Sequence, residues 1–87
     1  MKTLIYTRGQ NAERQIKKCE AYAKKQGYNI IGAVNNDDDM LALLAGETVD
    51  ALIVSEHSRI ARSWEQYLFA KKMLQGYGVK IIVAEGK

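Results

Sequence analysis

The chain has no proline, one cysteine and one histidine among its 87 residues, and each shortage closes off a class of function. A lone Cys19 forms no internal disulfide, which fits a reducing compartment and sets aside the disulfide-stapled secreted folds. Cys19 and His57 leave little from which to build a zinc site, and neither a metal nor an organic cofactor is expected. Long apolar runs are missing too: Ala51-Leu52-Ile53-Val54 falls far short of the roughly 18 residues a membrane span needs. Met1-Lys2-Thr3-Leu4 opens no signal-peptide pattern, so the expected location is cytoplasmic, with no membrane partner. What remains, 47% hydrophobic and 26% charged residues, is the composition of an ordinary globular domain and not of a disordered tail. A chain of this length encloses one core, so residues 1–87 read as a single domain. Its net charge of +3 is compatible with nucleic acid but weaker than the basic footprint of a dedicated binder.

Hydrophobic periodicity gives strands and helices in alternation. Thr3 to Thr7 is a short β-rich run ended by Arg8-Gly9. Asn11 is placed to cap a helix whose apolar residues Ala12, Ile16, Cys19 and Ala23 share one narrow face, with Gly27 as the stop. Cys19 on that stripe reads as a small core residue and not as a reactive thiol. A strand over Asn29–Val34 precedes a short helix from about Asp37 to Ala45, with acidic residues in its first turn. A third strand follows over Val49–Val54, then a helix from about Ile60 to Gln75 and a last strand over Val79–Val83. Nearly continuous apolar strands belong to a sheet covered on both faces. The expected fold is therefore an α/β three-layer sandwich around a mainly parallel four-stranded sheet.

Ligands of such sheets gather beyond the carboxyl ends of the strands, here Thr7–Gln10, Asn35-Asn36, Ser55–Arg62 and Ala84–Gly86. These segments carry Arg8, Arg59 and Arg62. Guanidinium groups bind phosphate oxygens bidentately and stay charged at every relevant pH, so the three arginines are the candidate phosphate or DNA contacts. The solvated-surface alternative is opposed by the expected place of Arg59 and Arg62 at a helix start, where the macrodipole disfavours cations. Asp37-Asp38-Asp39 reads as a dipole-complementing first turn and not as a metal site. Ser55, Glu56, His57 and Ser58 include a nucleophile and a base, but neighbouring loop residues rarely reach triad geometry.

Tyr6-Thr7-Arg8, then Glu13-Arg14-Gln15, Cys19-Glu20-Ala21-Tyr22-Ala23 and Gly27-Tyr28, resemble the opening of a serine recombinase catalytic domain of the resolvase/invertase family. Ser58-Arg59-Ile60-Ala61-Arg62 is similar to that family's Asp-Arg-x-x-Arg motif, and the likeness runs along nearly the whole chain. It implies a resolvase-like fold in which Arg8, Arg59 and Arg62 match the arginines that stabilise a DNA phosphodiester under attack by a serine, without metal. The departures are as specific. Only Gly9 and Gln10 separate Arg8 from Asn11, where the family carries a longer loop holding the serine, and Ser58 replaces the motif's aspartate. Thr7, the nearest hydroxyl, precedes the family arginine and is not placed for attack. A lost covalent route is not restored by electrostatic stabilisation, so no catalytic residue is assigned.

On the last helix, Tyr67, Ala70, Met73, Leu74 and Tyr77 form a broad core-facing arc, while Trp64 and Leu68 lie apart from it. That pair is either packed under the Ser55–Arg59 loop or a contact surface for a second copy or a recombinase. The expected function is a catalytically inactive recombinase-like domain acting through protein contact, with weak nonspecific DNA binding at most. Two alternatives stand beside it: a recombination subunit whose active site another chain completes, and a small phosphate- or nucleotide-binding module.

Overall fold

The computed structural model describes residues 1–56, 59–61 and 63–84. Four strands, β1 (Lys2–Tyr6), β2 (Asn29–Val34), β3 (Ala51–Val54) and β4 (Lys80–Val83), alternate with three helices, α1 (Ala12–Gln26), α2 (Asp37–Gly46) and α3 (Trp64–Gln75). All pairings are parallel and the sheet order is β2-β1-β3-β4. A one-residue bulge lies between Thr3 and Leu4, which pair with Ile30 and Gly32.

Side-chain alternation along the central strands builds the three layers. Leu4, Tyr6, Leu52 and Val54 point to one face, where Met40 and Leu44 of α2 and Leu74 of α3 cover them. Ile5 and Ile53 point to the other, where Cys19 and Ile16 of α1 cover them. Every residue of β3 is buried, as the near-continuous apolar run requires of a central parallel strand.

Local chemistry sets the helix ends. Gly27 takes a left-handed φ of 78° and stops α1, with Tyr28 N–H donating to the Ala23 carbonyl at 2.8 Å. Asn36 caps α2 by accepting from the Asp39 amide at 2.8 Å, and Ser63 caps α3 by accepting from the Gln66 amide at 3.2 Å.

Several boundaries differ from the expectation. The last helix begins at Trp64 and not near Ile60, because Ser63 is extended (φ −118°, ψ 157°) and caps there. Arg59 and Ile60 instead sit in a separate tight turn, with Arg59 N–H on the Glu56 carbonyl at 3.0 Å. Arg59 therefore lies outside the helix, away from its N-terminal dipole. Asn11 holds the cap position of α1 but, at φ 62° and ψ 42°, makes no side-chain cap. The core-facing arc of α3 is narrower than expected: Leu74 is its buried residue, whereas Met73 and Tyr77 are exposed.

Candidate functional site

The chain passes from β1 to β2 on one side and then crosses to β3 on the other, so the strand order reverses between β1 and β3. Such a switch point opens a crevice beyond the carboxyl ends of the two strands. The segment after β1 (Thr7 to Asn11) and the segment after β3 (Ser55, Glu56, Arg59) meet there.

The β1–α1 turn is tight, with left-handed backbone at Gly9 (φ 78°) and Asn11 (φ 62°). Gln15, 3% exposed, holds it from inside. Its Oε1 accepts from the Arg8 amide at 3.1 Å, and its Nε2 donates to the carbonyls of Arg8 at 2.9 Å and Gln10 at 2.8 Å. Arg59 closes the turn from outside, its Nη1 donating to the same Arg8 carbonyl at 3.3 Å while Nη2 faces Glu56 Oε1 at 3.6 Å. A Cβ at Gly9 would stand 3.4 Å from Arg59 Nη1. In the sequence Gln15 stands out only as part of a motif; its clamp depends on three backbone groups that meet only after folding.

Of the three arginines, Arg8 and Arg59 flank this turn and Arg62 lies outside the described residues. The Arg8 guanidinium leans toward the α2 layer, with Nη1 3.4 Å from the Tyr6 hydroxyl. That hydroxyl donates to Asp37 Oδ1 at 2.6 Å. Burial first, and then the Asp37 hydrogen bond, push the Tyr6 phenol up to about 12, against the opposing charge of Arg8. The Arg59 guanidinium lies on the α1 side, in a cavity of roughly 210 Å³ shared with Arg14, Lys18 and Ser55.

Hydroxyl and thiol groups near the turn are otherwise engaged. Thr7 is buried, and its Oγ1 donates to the Val34 carbonyl at 3.3 Å. Cys19 is fully buried, and burial raises its thiol to about 11, as expected of a core residue. His57 and Ser58 lie outside the described residues. Asp37, Asp38 and Asp39 occupy the first turn of α2, and no cluster of metal-ligating side chains occurs among the described residues. Among those residues, too, no helix is long and apolar enough to cross a membrane. Trp64 and Leu68 are 66% and 45% exposed, and Trp64 stacks on Tyr67 at 5.4 Å.

Fold and site together define a small parallel α/β domain with a basic crevice at its switch point. The chain belongs to the resolvase N-terminal domain family, which it matches over residues 6–87. No curated protein matches it. Among solved structures, a resolvase family site-specific recombinase from Streptococcus pneumoniae superposes with a TM-score of 0.84 at 22% identity, over 97% of this chain and 72% of that one. The N-terminal catalytic domain of TP901-1 integrase gives 0.82 at 18% identity, over 97% and 77%. The C-terminal catalytic domain of ISC1926 TnpA, an IS607-like serine recombinase, gives 0.81 at 21% identity, over 100% and 72%.

Proposed function

We propose that this chain is a recombinase-like domain that does not cut DNA and acts by contact, in the cytoplasm, with itself or with an active recombinase. The observation that carries the reading is the closed β1–α1 turn. Gly9, Gln10 and Asn11 offer no hydroxyl, and the Thr7 hydroxyl behind them is buried on the Val34 carbonyl. Covalent catalysis needs an accessible, activated nucleophile beside the arginines, and among the described residues the turn itself offers no accessible hydroxyl. Arg8 and Arg59, flanking the turn, with Arg62, supply phosphate contacts that position DNA without reading its sequence.

The test is incubation of the purified chain with supercoiled plasmid, alone and mixed with a full-length serine recombinase. Alone it forms no denaturation-resistant protein-DNA complex and relaxes nothing; in the mixture it changes the recombinase's rate. A covalent adduct formed by the chain alone overturns the reading. An adduct on this chain that appears only in the mixture selects instead a subunit completed by another chain.

A further inference from the structure

On the sheet face opposite α1, an apolar cavity of roughly 180 Å³ lies between α2 and α3. Tyr6 and Leu52 of the two central strands form its floor, and Met40 of α2 with Ala70 and Met73 of α3 form its walls. Asp37 and Met73, both exposed, stand at its mouth. Neither Arg8 nor Arg59 lines it, so it is separate from the crevice beside the β1–α1 turn.

Among the described residues that line this cavity, Tyr6 and Asp37 carry its only polar side-chain groups, and Asp37 its only charge. The Tyr6 hydroxyl spends its proton on Asp37 Oδ1 at 2.6 Å and takes Arg8 Nη1 at 3.4 Å. No side-chain donor is left for a ligand, whereas a carboxylate keeps acceptor capacity on its second oxygen. The wall therefore selects a ligand that donates. Charge points the same way. No Lys or Arg occurs between Lys25 and Arg59, and Asp37, Asp38 and Asp39 together fill the first turn of α2. Those three carboxylates outweigh the Arg8 guanidinium and the helix N-terminus, the latter worth about half a unit charge.

The remainder of the wall sets size and shape. An apolar cavity of about 150 Å³ is enough to hold benzene, so this one takes a single ring with a short substituent. Water in such a space finds few partners and is displaced with gain by an apolar group. Met40 and Met73 bring two polarizable thioethers, which make favourable contacts with aromatic rings.

We propose that this cavity binds a one-ring aromatic amine, its ring against Met40 and Met73 and its ammonium group on the Asp37 carboxylate. The site goes beyond the reading above, since a chain that meets neither DNA nor a recombinase still carries it.

The test uses the methyl NMR signals of the three methionines in the whole chain, titrated with benzylamine, benzyl alcohol and benzoate at matched ionic strength. Benzylamine is expected to shift the Met40 and Met73 methyls saturably. Met1, at the opposite end of β1 from Tyr6, and the exposed Trp64 indole stay in place. Benzyl alcohol, a donor without charge, binds more weakly, and benzoate at least about ten-fold more weakly than benzylamine. Asp37→Asn, which still accepts from Tyr6, brings benzylamine down to the affinity of benzyl alcohol. Ala70→Leu fills the cavity with a good helix former and abolishes the shifts, with circular dichroism confirming the fold; where it does not fold, the three-probe comparison on wild type decides. Absence of saturable shifts, benzoate binding as well as benzylamine, equal shifts at Met1 or Trp64, or a folded Ala70→Leu that titrates like wild type overturns the proposal. So do Met40 and Met73 signals that move with protein concentration before any probe is added, which would give the cavity to a second copy of the chain.

Discussion

Arg59 holds Arg8 by its main chain and not through its charge: the Nη1 of Arg59 and the Nε2 of Gln15 donate to the same Arg8 carbonyl oxygen, at 3.3 and 2.9 Å. One lone pair is engaged from outside the turn and the other from inside. The shortened connection is thus a closed, internally bonded turn, and the arginine that resembles a catalytic residue doubles as its outer clasp.

That double clasp makes Gln15 the residue on which the turn depends. Gln15→Ala removes three hydrogen bonds to backbone and is expected to cost about 1–3 kcal/mol, some of the loss being recovered by water at the surface. Gln15→Glu fails similarly, because a carboxylate cannot donate to the Arg8 and Gln10 carbonyls. Urea denaturation reads both; a Gln15→Ala midpoint equal to wild type would show that the turn is held by other contacts.

On the proposed function, Arg8 and Arg59 are expected to govern contact with DNA. Two or three phosphate contacts predict a slope of about −2 to −3 in log affinity against log salt, without preference among duplexes. Fluorescence anisotropy with two unrelated duplexes between 50 and 200 mM salt measures this, and Arg59→Gln is expected to flatten the slope by about one. Tight binding that separates the two duplexes sinks the expectation.

Tyr6 links β1 to the start of α2 and carries the pH dependence. Its phenol, raised from 10.0 to about 12, keeps its proton in the folded state through a range where the unfolded chain releases it. The stabilisation is therefore complete below pH 10 and lost as pH rises toward 12. Cys19, raised from 9.0 to about 11, adds a loss beginning one unit lower. Tyr6→Phe is expected to cost about 1–2 kcal/mol below pH 10, from the lost bond to Asp37. The gap to wild type narrows across pH 10–12, whereas the Cys19 contribution persists in the variant. Urea midpoints at stepped pH test this, and a constant gap would mean that the phenol ionises as readily folded as unfolded.

The order of elements was legible because each apolar run is bounded by a glycine or a cap-forming residue, and the alternation at Leu4, Ile5 and Tyr6 fixes which layer covers which face. Boundaries moved where side chains decided them, as when the Ser63 cap delays the last helix to Trp64. The places of Arg8 and Arg59 beside the β1–α1 turn were legible because position after a strand is written in the sequence. The clamp made by Gln15 was not legible, because it depends on backbone groups of Arg8 and Gln10 that reach the side chain only in the folded turn. Phe69, 73% exposed, was missed because periodicity assigns a face but not how far the neighbouring layer reaches.

The apolar surface of α3 supplies the last prediction. Trp64, Leu68 and Phe69 are exposed on one short helix, and an aromatic anchor with aliphatic neighbours is the arrangement from which small interfaces draw most of their energy. Burying each large apolar side chain contributes roughly 1.5–3 kcal/mol, most of which association costs remove, so a weak homodimer or a site completed by a larger partner is expected. Because Trp64 stacks on Tyr67 of its own helix, its indole is already oriented and loses little freedom on contact. Analytical ultracentrifugation of wild type against Trp64→Ala with Leu68→Ala, with circular dichroism to confirm folding, reads the outcome. A concentration-dependent rise in mass for wild type alone supports the surface; a variant that loses its fold, with wild type monomeric throughout, places the pair in the core and ends the interface claim.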